Sequence, residues 1–162
     1  SISDGSILLS LTPPENAQRN NLFIVKDVAT QPTLDQLMQA DFNTDTLMEI
    51  RIEYSLGDTH VMRGMINHTE WRYYTLHVPT RAITQLATFN SEWDIHTKLS
   101  ADQKWLAISI EKAGEYSLGI LAIDGSQPLR TWDVGTESYV CLLSWYEPGV
   151  VPPACGLHFC MR

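Results

Sequence analysis

Period-two alternation dominates this chain. In "LMEIRIEYS", Met48, Ile50, Ile52 and Tyr54 fall on one side, with Glu49, Arg51, Glu53 and Ser55 on the other. That is the pattern of an antiparallel strand with one face buried. "HVMRGMI" follows Gly57 and Asp58, and "WRYYTLHV" follows Asn67 and His68, both pairs suited to tight turns. These three runs predict a meander. A second series starts at Trp93 with "EWDIHTKL", "KWLAISIE", "YSLGILAI", "LRTWDV" and "YVCLLSWYE". Its turns are Ala101-Asp102-Gln103, Ala113-Gly114, Asp124-Gly125 and Gly135. Short strands so regularly punctuated predict a mainly β fold, an antiparallel β-sandwich or barrel-like domain. "YSLGILAI" and "YVCLLSWY" are apolar on both faces and are expected at a sheet centre.

One segment has helical spacing. "PTLDQLMQA" places Leu34, Leu37 and Met38 together, and Thr33 with Gln36 forms a T-x-x-Q capping box. It predicts one short helix over about Thr33–Ala40. Before it, "GSILLSLT" reads as a strand, and Pro13 and Pro14 break it. Residues 1–21 are therefore expected to be an N-terminal strand and proline-led hinge, and 22–162 a single β-rich domain. An edge strand of the same domain followed by a loop is the alternative. The initial Ser suits a fragment of a longer protein, and also fits a mature secreted chain or a cloning product. "LSADQKWLAISI" with "YSLGILAIDG" has the cadence of one propeller blade. The stretch Leu47–Val78 shares no residue signature with it at the 40–50-residue offset such an array needs, so a propeller is not expected.

Composition narrows the function classes. With 19 acids against 11 bases the net charge is −8. That disfavours nucleic acid and anionic membranes as partners. No apolar run approaches the roughly 20 residues of a membrane span, so no membrane insertion is expected. Three cysteines are too few for a disulfide framework.

Candidate chemistry is sparse. Cys155, His158 and Cys160 make a C-x-x-H-x-C cluster, half of a structural zinc site at best. Neither a metal nor a cofactor is expected. Cys141 could pair with Cys155 or Cys160, or remain a small buried thiol. Cys155-Gly156 lacks the surroundings of a protease nucleophile, and no G-x-S-x-G elbow occurs. Glu92, Asp94 and His96 around Trp93 could form a sugar subsite or a carboxylate pair, against the plainer reading of a solvated strand face. No enzyme is expected. Trp71 and Tyr73 share one strand face and Tyr74 and Leu76 the other. If one face is core, the other exposes aromatic area suited to protein or glycan contact. The weak binding candidates are thus Trp71, Tyr73, Trp93, Asp94 and His96. Asn67-His68-Thr69 matches a glycosylation acceptor.

The layout resembles the protruding domain of a small icosahedral RNA-virus capsid protein, such as those of insect viruses. The resemblance rests on "GSILLSLTPPENAQ", similar to a shell strand entering a proline hinge, and on the acidic, aromatic-rich β domain after it. It implies a recognition module on the virion surface, homo-oligomer contacts with capsid neighbours, and attachment to a host receptor or glycan. No family motif aligns residue by residue. The competing expectation is a bacterial periplasmic or secreted sensor or inhibitor domain.

Overall fold

The computed structural model describes residues 7–11, 21–26, 33–36, 49–92, 95–136, 142 and 145. Eleven strands appear among them, and no helix: β1 Ile7–Leu11, β2 Asn21–Lys26, β3 Thr33–Gln36, β4 Glu49–Leu56, β5 Thr59–Asn67, β6 Glu70–His77, β7 Ala82–Asn90, β8 Thr97–Leu99, β9 Trp105–Lys112, β10 Glu115–Ala122 and β11 Arg130–Gly135. They form three antiparallel sheets in the orders β1-β2-β3, β4-β5-β6-β7 and β8-β9-β10-β11. The chain divides into two compact units, Ser1–Asn90 and Ser91–Arg162.

The mainly β expectation holds, and two details change. Thr33–Gln36 is a strand paired antiparallel with β2, Thr33 opposite Lys26 and Gln36 opposite Phe23; the expected helix over Thr33–Ala40 does not form there. A helix of two turns carries its nucleation cost with few hydrogen bonds in return. A sheet partner instead supplies ladder hydrogen bonds at once. The remainder of that segment, 37–40, lies outside the described residues. Further, β1 pairs with β2 from Ile7 opposite Val25 to Leu11 opposite Asn21. The first strand therefore shares a sheet with its successor, and the compact units part after Asn90.

The β4–β7 sheet is built from tight hairpins. Leu56 pairs with Thr59, leaving Gly57 and Asp58 as a two-residue loop, and Gly57 takes φ +64°. A glycine accepts that angle without strain at the first loop position. On one face Ile50, Met62, Tyr74, Leu76 and Val78 form a buried cluster, with Ile66 and Ile83 packed against it. On the opposite face Val61, Arg63, Trp71, Tyr73 and Ala87 are buried as well. The centre of this sheet is covered on both sides.

In the second unit, β9 and β10 are central. Leu106, Ile108, Ile110 and Leu121 are buried on one face. Two side-chain devices fix the entry to β9. The Ser100 hydroxyl donates to Asp102 Oδ1 (2.6 Å) and accepts from the Trp105 amide (3.0 Å). Asp102 Oδ1 also accepts from the Lys104 amide (3.2 Å). The Asp102 carboxyl consequently sits below its ordinary value, chiefly through the Ser100 hydroxyl. The turn expected at Ala101-Asp102-Gln103 is thus a closed hydrogen-bonded loop.

The two four-stranded sheets repeat each other. Glu49, Thr59, Glu70 and Ala82 open the strands of the first, and Thr97, Trp105, Glu115 and Arg130 those of the second. The displacements are 48, 46, 45 and 48 residues. Register sharpens the match: Met62 faces Tyr74 as Ile108 faces Gly119. Buried Leu76 and Val78 recur as buried Leu121 and Ile123. The Val78 amide donates to the Asp58 carbonyl (2.9 Å) as the Ile123 amide does to the Lys104 carbonyl (3.0 Å). The offset falls from 46 on β5 to 45 on β6 because the β5–β6 ladder shifts register between Met65 and Asn67, whereas β9–β10 is unbroken. The cadence of "KWLAISIE" and "YSLGILAI" therefore has a second copy, visible in strand spacing and burial rather than in residue identity.

Candidate functional site

Among the expected binding residues, Trp71 and Tyr73 are only 6% and 0% exposed. They do share a face, as the alternation required: Tyr73 pairs with Arg63 and Trp71 with Met65. That face is interior, so neither ring offers the exposed aromatic area expected of it. Tyr73 stacks on Phe89 (ring centroids 5.9 Å apart, 14° between planes). The Arg63 guanidinium lies 4.8 Å over the Trp71 ring and its Nε is 3.0 Å from Glu53 Oε1. Burial pushes the Tyr73 phenol far above its ordinary range, and the Glu53 charge pushes the same way against Arg63. Arg63 and Glu53 are a buried ion pair capped by an indole, chemistry of structural stability rather than of contact with a ligand.

His96 is exposed, and its backbone is tied to β9: its amide donates to Ser109 Oγ (3.0 Å) and its carbonyl accepts from the Ser109 amide (2.9 Å). Glu92 is also exposed. Trp93 and Asp94 lie outside the described residues, as do Cys141, Cys155, His158 and Cys160. Asn67 ends β5 at a hairpin tip, followed by exposed His68 and Thr69. No three His, Cys, Asp or Glu side chains gather into a metal-binding group among the described residues.

A different group of aromatic residues comes together in the second unit. Trp105, Ile120, Gln127, Pro128, Arg130, Trp132 and Trp145 line a mostly apolar groove of about 250 Å³. The sheet register explains how. Trp105 pairs with Ala122, Ile120 with Ala107 and Arg130, and Trp132 with Leu118. Alternation then puts Trp105, Ile120, Arg130 and Trp132 on one face of the sheet, opposite the Leu106–Ile108–Leu121 core. Gln127 and Pro128 come from the β10–β11 connection. Trp145 is anchored by its indole N–H, which donates to the carbonyl of Lys98 on the outer strand β8 (2.9 Å). The other side of the sheet is bounded by β11, whose six residues are all exposed, with Trp132 at 50%.

This groove holds rigid indole surface beside one cation and one amide, with no nucleophile–base pair among its lining residues. Such a set offers area and orientation to a binding partner rather than bond-making groups. Sequence reasoning missed it because its residues are far apart along the chain and meet only through the β9–β10–β11 register. The available signal was the shared parity of Ile120 with Arg130 and Trp132 across a hairpin. No protein family, curated protein or solved structure matches the chain.

Proposed function

We propose that the chain is a non-enzymatic recognition module, with the Trp105–Trp132–Trp145 groove as its contact surface. The observation that carries this reading is the gathering of Trp105, Trp132 and Trp145 around one mostly apolar groove, with Trp132 50% exposed at its wall. The same proposal includes a β-sandwich-like capsid protrusion at a virion surface, associating with neighbouring copies and attaching to a host receptor or glycan. Acidic charge, short antiparallel strands and tight hairpins support it. The test is attachment of the labelled chain to susceptible host cells. Saturable binding, competed by unlabelled chain and reduced at least tenfold by Arg130→Ser with Trp132→Ser, is expected. A chain that neither attaches nor competes overturns attachment.

A further inference from the structure

Hydrogen-bonding capacity narrows what the groove can hold. Arg130 is its one charged lining residue, in a chain with 19 acids against 11 bases. The acid of β11, Asp133, lies on the opposite face of the strand, where Ser117 Oγ donates to its Oδ1 (2.9 Å). Among the described residues no hydrogen bond or ion pair engages the side chains of Gln127, Arg130 or Trp132. Trp145 differs, since its N–H is spent on the Lys98 carbonyl. The open polar groups are therefore N–H donors, and the Gln127 carbonyl oxygen is the single side-chain acceptor of the lining. A lining of that kind is short of acceptors and carries one cation without a counter-ion. Its complement is an anion rich in acceptor oxygens.

From this we infer that the groove takes a single sugar ring bearing a carboxylate, the unit of an acidic glycan. The inference rests on reading the groove as a contact surface and names its ligand. A carboxylate matches the planar fork of Arg130, which holds both oxygens at once. The ring's hydroxyl oxygens supply acceptors for the Gln127 amide and the Trp132 N–H, groups that an aryl carboxylate would leave unmet. The C–H side of the ring buries apolar area against the indoles, as an inorganic anion cannot. Size agrees with one ring. At about 250 Å³ the groove falls below the roughly 300 Å³ at which pockets for drug-sized ligands begin.

Titration of the 162-residue chain with methyl glucuronide, followed at the indole N–H resonances, tests this. The expected Kd is about 1 mM, the affinity that ordinary efficiency gives a ligand of about 14 heavy atoms. The Trp132 resonance should move. Methyl glucoside has the same ring with a hydroxymethyl group in place of the carboxylate, and should bind about tenfold more weakly. Arg130→Gln should weaken the glucuronide by about tenfold and leave the glucoside unchanged. It alters an exposed side chain, so the fold is kept. Lys112→Gln, at the exposed end of β9, should change neither. A glucuronide that binds no tighter than the glucoside, or that is indifferent to Arg130→Gln, overturns the inference. Benzoate binding as tightly as the glucuronide overturns the sugar. A chain that attaches to cells without binding the glucuronide overturns this ligand and leaves the recognition reading standing. One that binds the glucuronide and fails to attach does the reverse.

Discussion

Replacing Arg63 should destabilise the first unit more than any other single substitution among its charged residues. Arg63 and Glu53 side chains are 6% and 15% exposed, with Nε and Oε1 at 3.0 Å. Arg63→Met keeps the apolar stem and most of the volume, so the loss is electrostatic. It removes the cation from a buried carboxylate and from the Trp71 face 4.8 Å away. Breaking one partner of such a pair costs about 3–5 kcal/mol, because the remaining charge loses its counter-ion in a largely buried site. The stacked cation contributes about 1–2 kcal/mol of that when desolvated. For a chain of this length the melting temperature should drop by about 6–20 °C, and the urea midpoint by about 1–3 M. Circular dichroism against urea and temperature measures both. Glu53→Met combined with Arg63→Met should recover most of the loss, because the orphaned carboxylate is gone. The drop should persist at 1 M salt, since buried charges are little screened. A loss below about 1 kcal/mol, or a double variant no more stable than Arg63→Met, would refute the buried-pair argument.

His60→Leu should stabilise the chain by about 1–2 kcal/mol, because His60 Nε2 is buried without a partner while Nδ1 meets Ser55 Oγ at 2.9 Å. Register puts Leu106 at the equivalent place in the second unit. Burial lowers the His60 pKa below its ordinary 6.5, against the pull of Asp58. As pH falls below 6.5 the unfolded chain takes the proton first, so stability present above that pH is lost toward acid. Urea midpoints at pH 8 and pH 5 should show a larger gain from His60→Leu at pH 5. Ala113→Asn should raise thermal stability by about 0.5–1 kcal/mol, since Ala113 and Gly114 both take positive φ (52° and 78°) in a two-residue hairpin where Asn-Gly is favoured; an unchanged melting temperature would contradict it. Ser100→Ala should cost about 1–2 kcal/mol in the same assay by leaving the Trp105 amide without its side-chain acceptor.

The legible parts of the fold were those where alternation and turn residues agreed. The β4–β5–β6 meander, the central place of "YSLGILAI" and the hairpins at Gly57 and Gly114 follow from local pattern alone. Strand β7 was missed for a physical reason. The β6–β7 ladder shifts register between Tyr73 and Tyr74, so the paired residues Ile83 and Ala87 of β7 fall on opposite faces and its alternation breaks. Such a bulge inserts one unpaired residue and reverses every side chain beyond it. Trp71 and Tyr73 were misjudged because a covered partner face was not anticipated. Yet "WRYYTL" is nearly apolar in both parities, the same sign that correctly placed β10 at a sheet centre. The groove depends on three connections in space, and its one local sign is the shared parity of Ile120, Arg130 and Trp132 across a hairpin.

Bulges also account for the hidden repeat. A residue-by-residue search at one fixed offset fails when the offset itself changes within the repeat, from 46 on β5 to 45 on β6. On both sides of that shift, equivalent residues differ in chemistry while staying buried: His60 and Leu106, Arg63 and Ser109, Tyr74 and Gly119. Each exchange is compensated locally. Arg63 has Glu53 and Trp71 where Ser109 has the backbone of His96. At Gly119 the space of the Tyr74 ring is taken by Ile110 and Leu129, whose methyl carbons would lie 3.1 Å from an added Cβ. Burial is thus the conserved quantity between the two units and residue type is not. The match is not complete: buried Tyr73 corresponds to half-buried Leu118, exposed His77 to buried Ala122, and Ala87, 9% exposed, to Trp132, 50% exposed. A position that is small and covered in one unit and large and open in the other is where the shared environment of the two sheets ends.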